Sequence, residues 1–189
     1  METIKLKVGG FGGQGVILAG HVIGKAAAIY GGKHATMTQS FGPEARGSAC
    51  SAQVLISDDV VRYPYIRRPN VLMVMSQDAY REYEPSLEDG GMLLIEDELV
   101  KPENLRPGIR VYGAPATRIA EELGKKMVLN IVMIGFFAAV TNLLEKEALR
   151  KAVASSVPKG TEELNLTAFE RGYACGADLV AKEASRGRS

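Results

Sequence analysis

Residues 10–15 read Gly10-Phe11-Gly12-Gly13-Gln14-Gly15, directly after an alternating apolar run (Ile4, Leu6, Val8) and before an apolar, helix-forming stretch. Glycine at these positions lets the backbone turn sharply, bring a helix close to a strand and expose amides at the helix start. Such amides, with the helix dipole behind them, favour a bound anion or a partner's acidic group. Gly10, Gly12, Gly13, Gln14 and Gly15 are therefore the candidate contacts for an anion or a partner. The spacing also satisfies the dinucleotide fingerprint G-x-G-x-x-G. That reading requires an Asp or Glu about twenty residues later to hold a ribose. Lys33 to Ser40 carries no carboxylate; Glu44 comes late, and Arg46 stands where an NADP reading would want an arginine. Three uses of the glycines stay open: a dinucleotide, a phosphate-bearing ligand or partner at the helix start, or only a tight strand-to-helix junction.

Other chemistries lack their residues. The signature G-x-x-x-x-G-K-[ST] of nucleotide hydrolases is absent, and so is the G-x-S-x-G nucleophile elbow. His21 and His34 sit beside no obvious nucleophile and share no metal-ligand spacing with Cys50 or Cys175. Two cysteines alone cannot ligate a four-cysteine iron–sulfur cluster. Cys50, Met73 and Met75 read as core, and His21 as a polar-face or interface residue rather than a base. No catalytic residue is assigned in this chain.

The bulk properties fit this modest inventory. The chain has 189 residues, 46% hydrophobic and 24% charged, with a net charge of +1. That length suits one domain burying roughly 70% of its unfolded surface. The near-neutral balance gives no footprint for nucleic acid. A start at Met1-Glu2 with alternating lysines does not read as a signal peptide. The most apolar stretch, 127–140, is too short to span a bilayer, so no membrane association and a cytoplasmic location are expected. Two distant cysteines agree with that compartment.

Period and punctuation place the elements. Strands are expected over 4–8, 33–39, 48–56, 71–75, 92–95 and 109–112; helices over 14–30, 77–82, 117–123, 130–144, 146–154 and 166–183. Gly31-Gly32 marks the first helix stop. Ser57-Asp58-Asp59 followed by Val60-Val61-Arg62-Tyr63 reads as a hairpin, hence antiparallel members in the sheet. Ile17, Leu18, Ile23, Ala27 and Ala28 should face that sheet. The expected fold is α/β: a single three-layer α/β/α domain over 1–183 with a mixed, Rossmann-like sheet, and a frayed tail over 184–189. Leu129 to Val140, with Phe136-Phe137, is either core or an apolar partner surface through which the isolated chain could form a homodimer.

Two motifs taken together are more specific. The glycine turn after the first strand, paired with Gln39-Ser40-Phe41-Gly42-Pro43-Glu44-Ala45-Arg46-Gly47 after the second, resembles the gamma subunit of 2-oxoacid:ferredoxin oxidoreductases. The resemblance extends through Asn130–Gly135 and covers most of residues 4–140; Ser48 departs from the second glycine usual in that family. The wording of the 39–47 loop is most like the 2-oxoglutarate type, with pyruvate and branched-chain 2-oxoacid types as alternatives. A stand-alone dinucleotide- or coenzyme A-binding module is the reading from a different class.

The resemblance implies a complex that decarboxylates a 2-oxoacid on thiamine diphosphate with Mg, passes electrons through iron–sulfur clusters to ferredoxin, and releases an acyl-coenzyme A. It implies alpha, beta and delta subunits as partners, with all cofactors bound outside this chain. The chain is then inactive alone and has a structural or assembly role, with the glycine turn as a further candidate contact for coenzyme A. Phe41, Gly42, Pro43, Glu44, Arg46 and Gly47 are expected to form an inter-subunit loop. There Arg46 would pair a carboxylate or phosphate bidentately and Glu44 would orient it, or the two would pair with each other.

Overall fold

The computed structural model describes residues 3–41 and 49–186. Alternation of apolar and polar residues produces β1 (Ile4–Phe11), whose Ile4, Leu6 and Val8 are buried while Lys5 and Lys7 point to the other face. The glycine turn leads into α1 (Val16–Lys25), which continues as a π-helical turn over Ala26–Tyr30 and stops at Gly31. Then come β2 (His34–Ser40), β3 (Ala49–Ser57), β4 (Val71–Val74), α2 (Gln77–Tyr83), β5 (Met92–Glu96) and β6 (Arg110–Ala114). The remainder is helical: α3 (Ala116–Glu122), α4 (Leu129–Thr141), α5 (Lys146–Ala154) and α6 (Glu162–Arg186).

The six strands form one sheet in the order β2-β3-β1-β4-β5-β6. Strands β1, β4, β5 and β6 run parallel, and β3 is antiparallel to both β1 and β2. Hence β2 runs with β1, and β3 is the single reversed strand. The sheet is mixed, as expected, but its antiparallel member is not the expected hairpin. Residues 60–66 form no strand. Both hydrogen-bonding edges of β3 are already filled by β1 and β2, and Pro64 could not donate to a further ladder. The segment instead crosses the sheet face, tied by the Ile66 amide donating to Gln53 Oε1 at 3.0 Å.

Helices lie on both faces, unequally. One core joins β1, β3, β4, β5 and β6 to α1, α3, α4, α5 and α6. A smaller one holds Leu72, Val74, Leu93 and Ile95 against Ala79, Tyr80, Tyr83 and Leu87 of α2 and its exit. Helix α4 is buried nearly all round, Phe136 and Phe137 included, so the 129–140 stretch is core and not an open partner surface. It ends at Thr141, three residues earlier than expected, with Asn142 capping it in the left-handed region (φ 49°). Helix α6 begins at Glu162, four residues early, with Glu162 and Glu163 complementing its dipole, and remains helical through Arg186. The first helix buries Val16, Ala19, Val22, Ile23, Ala26 and Ala27; Ala28 is exposed, because the π turn rotates the last residues off the helical period.

Candidate functional site

Five parallel strands deliver their C-terminal ends to one rim. The glycine turn leaves β1 there, Phe41 leaves β2, Met75-Ser76 leave β4, 97–100 leave β5 and Pro115 leaves β6. Helices α1 and α2 depart to opposite faces from neighbouring strands β1 and β4. That divergence opens the crevice in which doubly wound sheets bind ligands.

The turn is held by its own residues. Gln14 Oε1 accepts from the Phe11 amide at 2.7 Å, and Gln14 Nε2 donates to the Met75 carbonyl at 2.8 Å. The side chain thus bridges the ends of β1 and β4, and its function is to fix the loop. Gly10 lies so close to Gln14 and Val16 that a Cβ would collide with both. Gly15, at φ +73°, caps α1 in the left-handed region, and its carbonyl accepts from Asn130 Nδ2 of α4 at 3.1 Å. Gly12 and Gly13 differ: both are exposed, and a Cβ on either meets nothing within 4 Å. Close packing therefore explains Gly10 and Gly15, whereas Gly12 and Gly13 leave open backbone at the mouth of the crevice.

The opposite wall is organised by Glu96, fully buried at the end of β5. Its carboxylate accepts from the amides of Thr117 (2.9 Å), Glu98 (3.1 Å) and Leu99 (2.6 Å), which fixes the start of α3 and the loop after β5 together. Between the walls lies a cavity of about 270 Å³ lined by Gly13, Gln14, Leu99, Thr117, Lys126, Met127 and Leu129. Thr117 Oγ1 is, among the described residues, the buried side-chain oxygen or nitrogen without a hydrogen-bond partner. Met127 is 84% exposed, and Leu99 and Phe41 are exposed as well. The rim therefore combines open amide backbone, an unpaired hydroxyl and apolar side chains facing water. Lys126, at its edge, is paired with Glu121 at 2.8 Å, which raises its pKa.

The structure brings Gly10, Gly12, Gly13, Gln14, Gly15 and Phe41 to one end of the sheet. Gly42, Pro43, Glu44, Arg46 and Gly47 lie outside the described residues. The sequence gives no sign that Glu96, Leu99, Thr117 and Met127 belong together: Glu96 ends β5, Leu99 lies in the loop after it, Thr117 stands in the first turn of α3 and Met127 in the 3-10 turn before α4, and only the tertiary fold unites them. The doubly buried end of β5 was a local sign of Glu96 alone. Cys50 is buried in β3 and Cys175 half-buried in α6; burial pushes both thiols up. Among the described residues no three His, Cys, Asp or Glu side chains converge as a metal site, and no helix is long and apolar enough to cross a membrane.

Comparison with known proteins adds a second line. Residues 5–175 match the family described as pyruvate ferredoxin/flavodoxin oxidoreductase. The 2-oxoglutarate synthase subunit KorC of Methanocaldococcus jannaschii is 45% identical over 177 residues, covering 93% of this chain and 95% of that protein. The pyruvate synthase subunit PorC of Methanothermobacter thermautotrophicus is 30% identical, covering 90% of this chain and 94% of that protein. Among solved structures, the gamma subunit of a keto/oxoacid ferredoxin oxidoreductase from Geobacter sulfurreducens superposes with a TM-score of 0.81 at 37% identity. That match covers 93% of this chain and 99% of the other.

Proposed function

This chain belongs to the pyruvate ferredoxin/flavodoxin oxidoreductase family, and we propose that it is the gamma subunit of a cytoplasmic, multi-subunit 2-oxoglutarate:ferredoxin oxidoreductase. The observation that carries the substrate is the gradient of similarity: 45% identity to a 2-oxoglutarate synthase subunit against 30% to a pyruvate synthase subunit, both at nearly full length. The holoenzyme decarboxylates the 2-oxoacid, passes electrons to ferredoxin and releases an acyl-coenzyme A. Thiamine diphosphate, Mg and iron–sulfur clusters reside in alpha, beta and delta subunits. The donor set of this chain does not fit a cluster, since its two cysteines lie in separate elements and one is buried in the sheet. No redox step is assigned to it.

Its contribution is the rim. Apolar Met127, Leu99 and Phe41, exposed around open glycine backbone, support docking of a sister subunit. The unpaired Thr117 hydroxyl and the amides at the start of α1 support a second use of the same rim, contact with the phosphate-bearing coenzyme A. Reconstitution tests the reading. The chain alone is expected to be colourless and inactive on 2-oxoacids. Added to alpha, beta and delta subunits, it restores oxidation with 2-oxoglutarate preferred to pyruvate. Full activity of the other subunits without this chain would refute the proposal. Gly12→Leu, placed where nothing opposes a side chain, is expected to leave folding intact and to reduce assembly or turnover.

A further inference from the structure

Strand β2 is one edge of the sheet. Which of its backbone groups face outward follows from hydrogen bonds at the sheet's centre. The Lys5 and Gly9 carbonyls accept from the Asn70 and Met75 amides, both at 2.9 Å, so the odd-numbered residues of β1 turn to β4 and the even-numbered ones to β3. Across the antiparallel ladders, Ser51, Gln53, Leu55 and Ser57 of β3 then bond to β2, at Ser40, Thr38, Thr36 and His34. Ala35, Met37 and Gln39 are left with N–H and C=O aimed away from the sheet. Among the described residues, no hydrogen bond reaches these groups.

This edge carries none of the usual devices against pairing. Proteins blunt free strands with Lys, Pro, bulges or shortness. His34–Ser40 contains no Pro, Lys, Arg, Asp or Glu, and its register with β3 is unbroken over all 7 residues. The opposite edge differs: β6 has 5 residues, opens on Arg110 and runs into Pro115.

Beside β2 lies a groove of about 390 Å³, walled by Gly24, Ala28 and Ile29 on the helix side and by Ala35 and Met37 on the strand side. Ile29 is 66% exposed. Lys25 also lines the groove, but its ammonium donates to the Ser155 carbonyl at 3.0 Å, towards the exit of α5. The mouth of the groove is therefore mainly apolar and borders the free backbone edge.

We propose that β2 pairs antiparallel with β2 of a second copy of this chain, about a two-fold axis at Met37, joining the two sheets into one. In that register Met37 meets its own mate and Ala35 meets Gln39, so every outward amide and carbonyl of the three residues finds a partner. Thr36 falls opposite Thr38, a favourable cross-strand pair, and no charge faces a like charge. The spacing of the helices suits a second copy as well. Helix α1 packs so closely on β3 that a Cβ on Gly20 would collide with Ala52. Three strand spacings, about 14 Å, would separate β3 from its mate. Direct helix contact takes about 8–10 Å, and Ile29 and Met37 of both copies fill the remainder. This pairing does not depend on which enzyme the chain serves.

Thiol cross-linking of the full chain, in a Cys175→Ser background, tests it. Thr36→Cys and Thr38→Cys chains are expected to join when mixed and mildly oxidised, because the register sets them opposite at the short Cα separation of a non-hydrogen-bonded pair. Either variant alone should join far less. Wild-type chain should sediment as a dimer. Gln39→Pro removes an outward N–H and spares the ladder to β3. It should leave Tm and circular dichroism unchanged and raise the dimer dissociation constant about tenfold or more, since each dimer loses two hydrogen bonds. A wild-type chain that is monomeric at every concentration overturns the proposal. So does a dimer indifferent to Gln39→Pro, or a mixed pair that joins no better than either variant alone. Protection of the Ala35 and Met37 amides from hydrogen exchange only when a sister subunit is present also overturns it, because β2 then belongs to that subunit.

Discussion

Gly12 and Gly15 stand three residues apart in one turn and answer to different constraints. Gly15 has φ +73°, and a Cβ there would collide with Asn130. Forcing an L-residue into the left-handed region costs about 1–2 kcal/mol, and overpacking typically adds about 1–3 kcal/mol. Gly15→Ala is thus expected to lower the unfolding free energy by about 2–5 kcal/mol, read from the denaturant midpoint, and Gly12→Ala by under about 0.5 kcal/mol. Lys7 offers a titration at the same scale. Burial disfavours its charged form, so its folded pKa lies below its unfolded one. The strain of holding that ammonium is present at low pH and is relieved as pH rises through the folded value, so this group makes stability increase with pH there. Lys126 shifts the other way because Glu121 stabilises its charge. In the isolated chain, the rate of amine acetylation against pH should therefore rise at lower pH for Lys7 than for Lys126. Coincident curves would contradict the burial of Lys7.

At the scale of elements, the tightest joint is the crossing of α4 and α6. A Cβ on Gly172 would run into the Val132 carbonyl, and one on Gly135 into the Phe169 carbonyl. Backbone cannot yield as a flexible side chain can, so Gly172→Ala should cost about 3 kcal/mol or more, seen as a large fall in Tm. A wild-type Tm for this variant would mean that the helices sit further apart. Nothing in the sequence announced this joint, because Gly135 and Gly172 lie 37 residues apart and their meeting is a tertiary event. What local pattern does encode was legible: the alternation of β1, the buried run of β4, and α5 at its full span. The mistaken hairpin at 57–63 has the same origin as the missed joint. Its residues have strand propensity, but β3's edges are already filled, one by the preceding strand β2 and the other by β1, nearly forty residues or more away in sequence. The candidate site divides along that line too. The glycine turn is contiguous and readable, whereas Glu96 and Thr117 join it because parallel strands end together, and Met127 because the turn between α3 and α4 packs beside them.

For the whole molecule, the surface best suited to a sister subunit among the described residues is the apolar rim with its unpaired Thr117 hydroxyl. Partners that bind only the folded chain stabilise it by RT ln(1 + [L]/Kd), about 2.7 kcal/mol at a partner concentration one hundred times Kd. For a domain of this size each kcal/mol moves Tm by about 2–4 °C. Titrating the chain with sister subunits should thus raise the midpoint of its own unfolding by about 5–11 °C. Labelling of this chain's buried Cys50 against temperature follows that transition selectively. Added salt should leave most of the rise in place, because the exposed rim residues Phe41, Leu99 and Met127 are apolar and salt screens contacts between charges. A Tm unmoved by the partners at any concentration would mean that the rim is not a docking site.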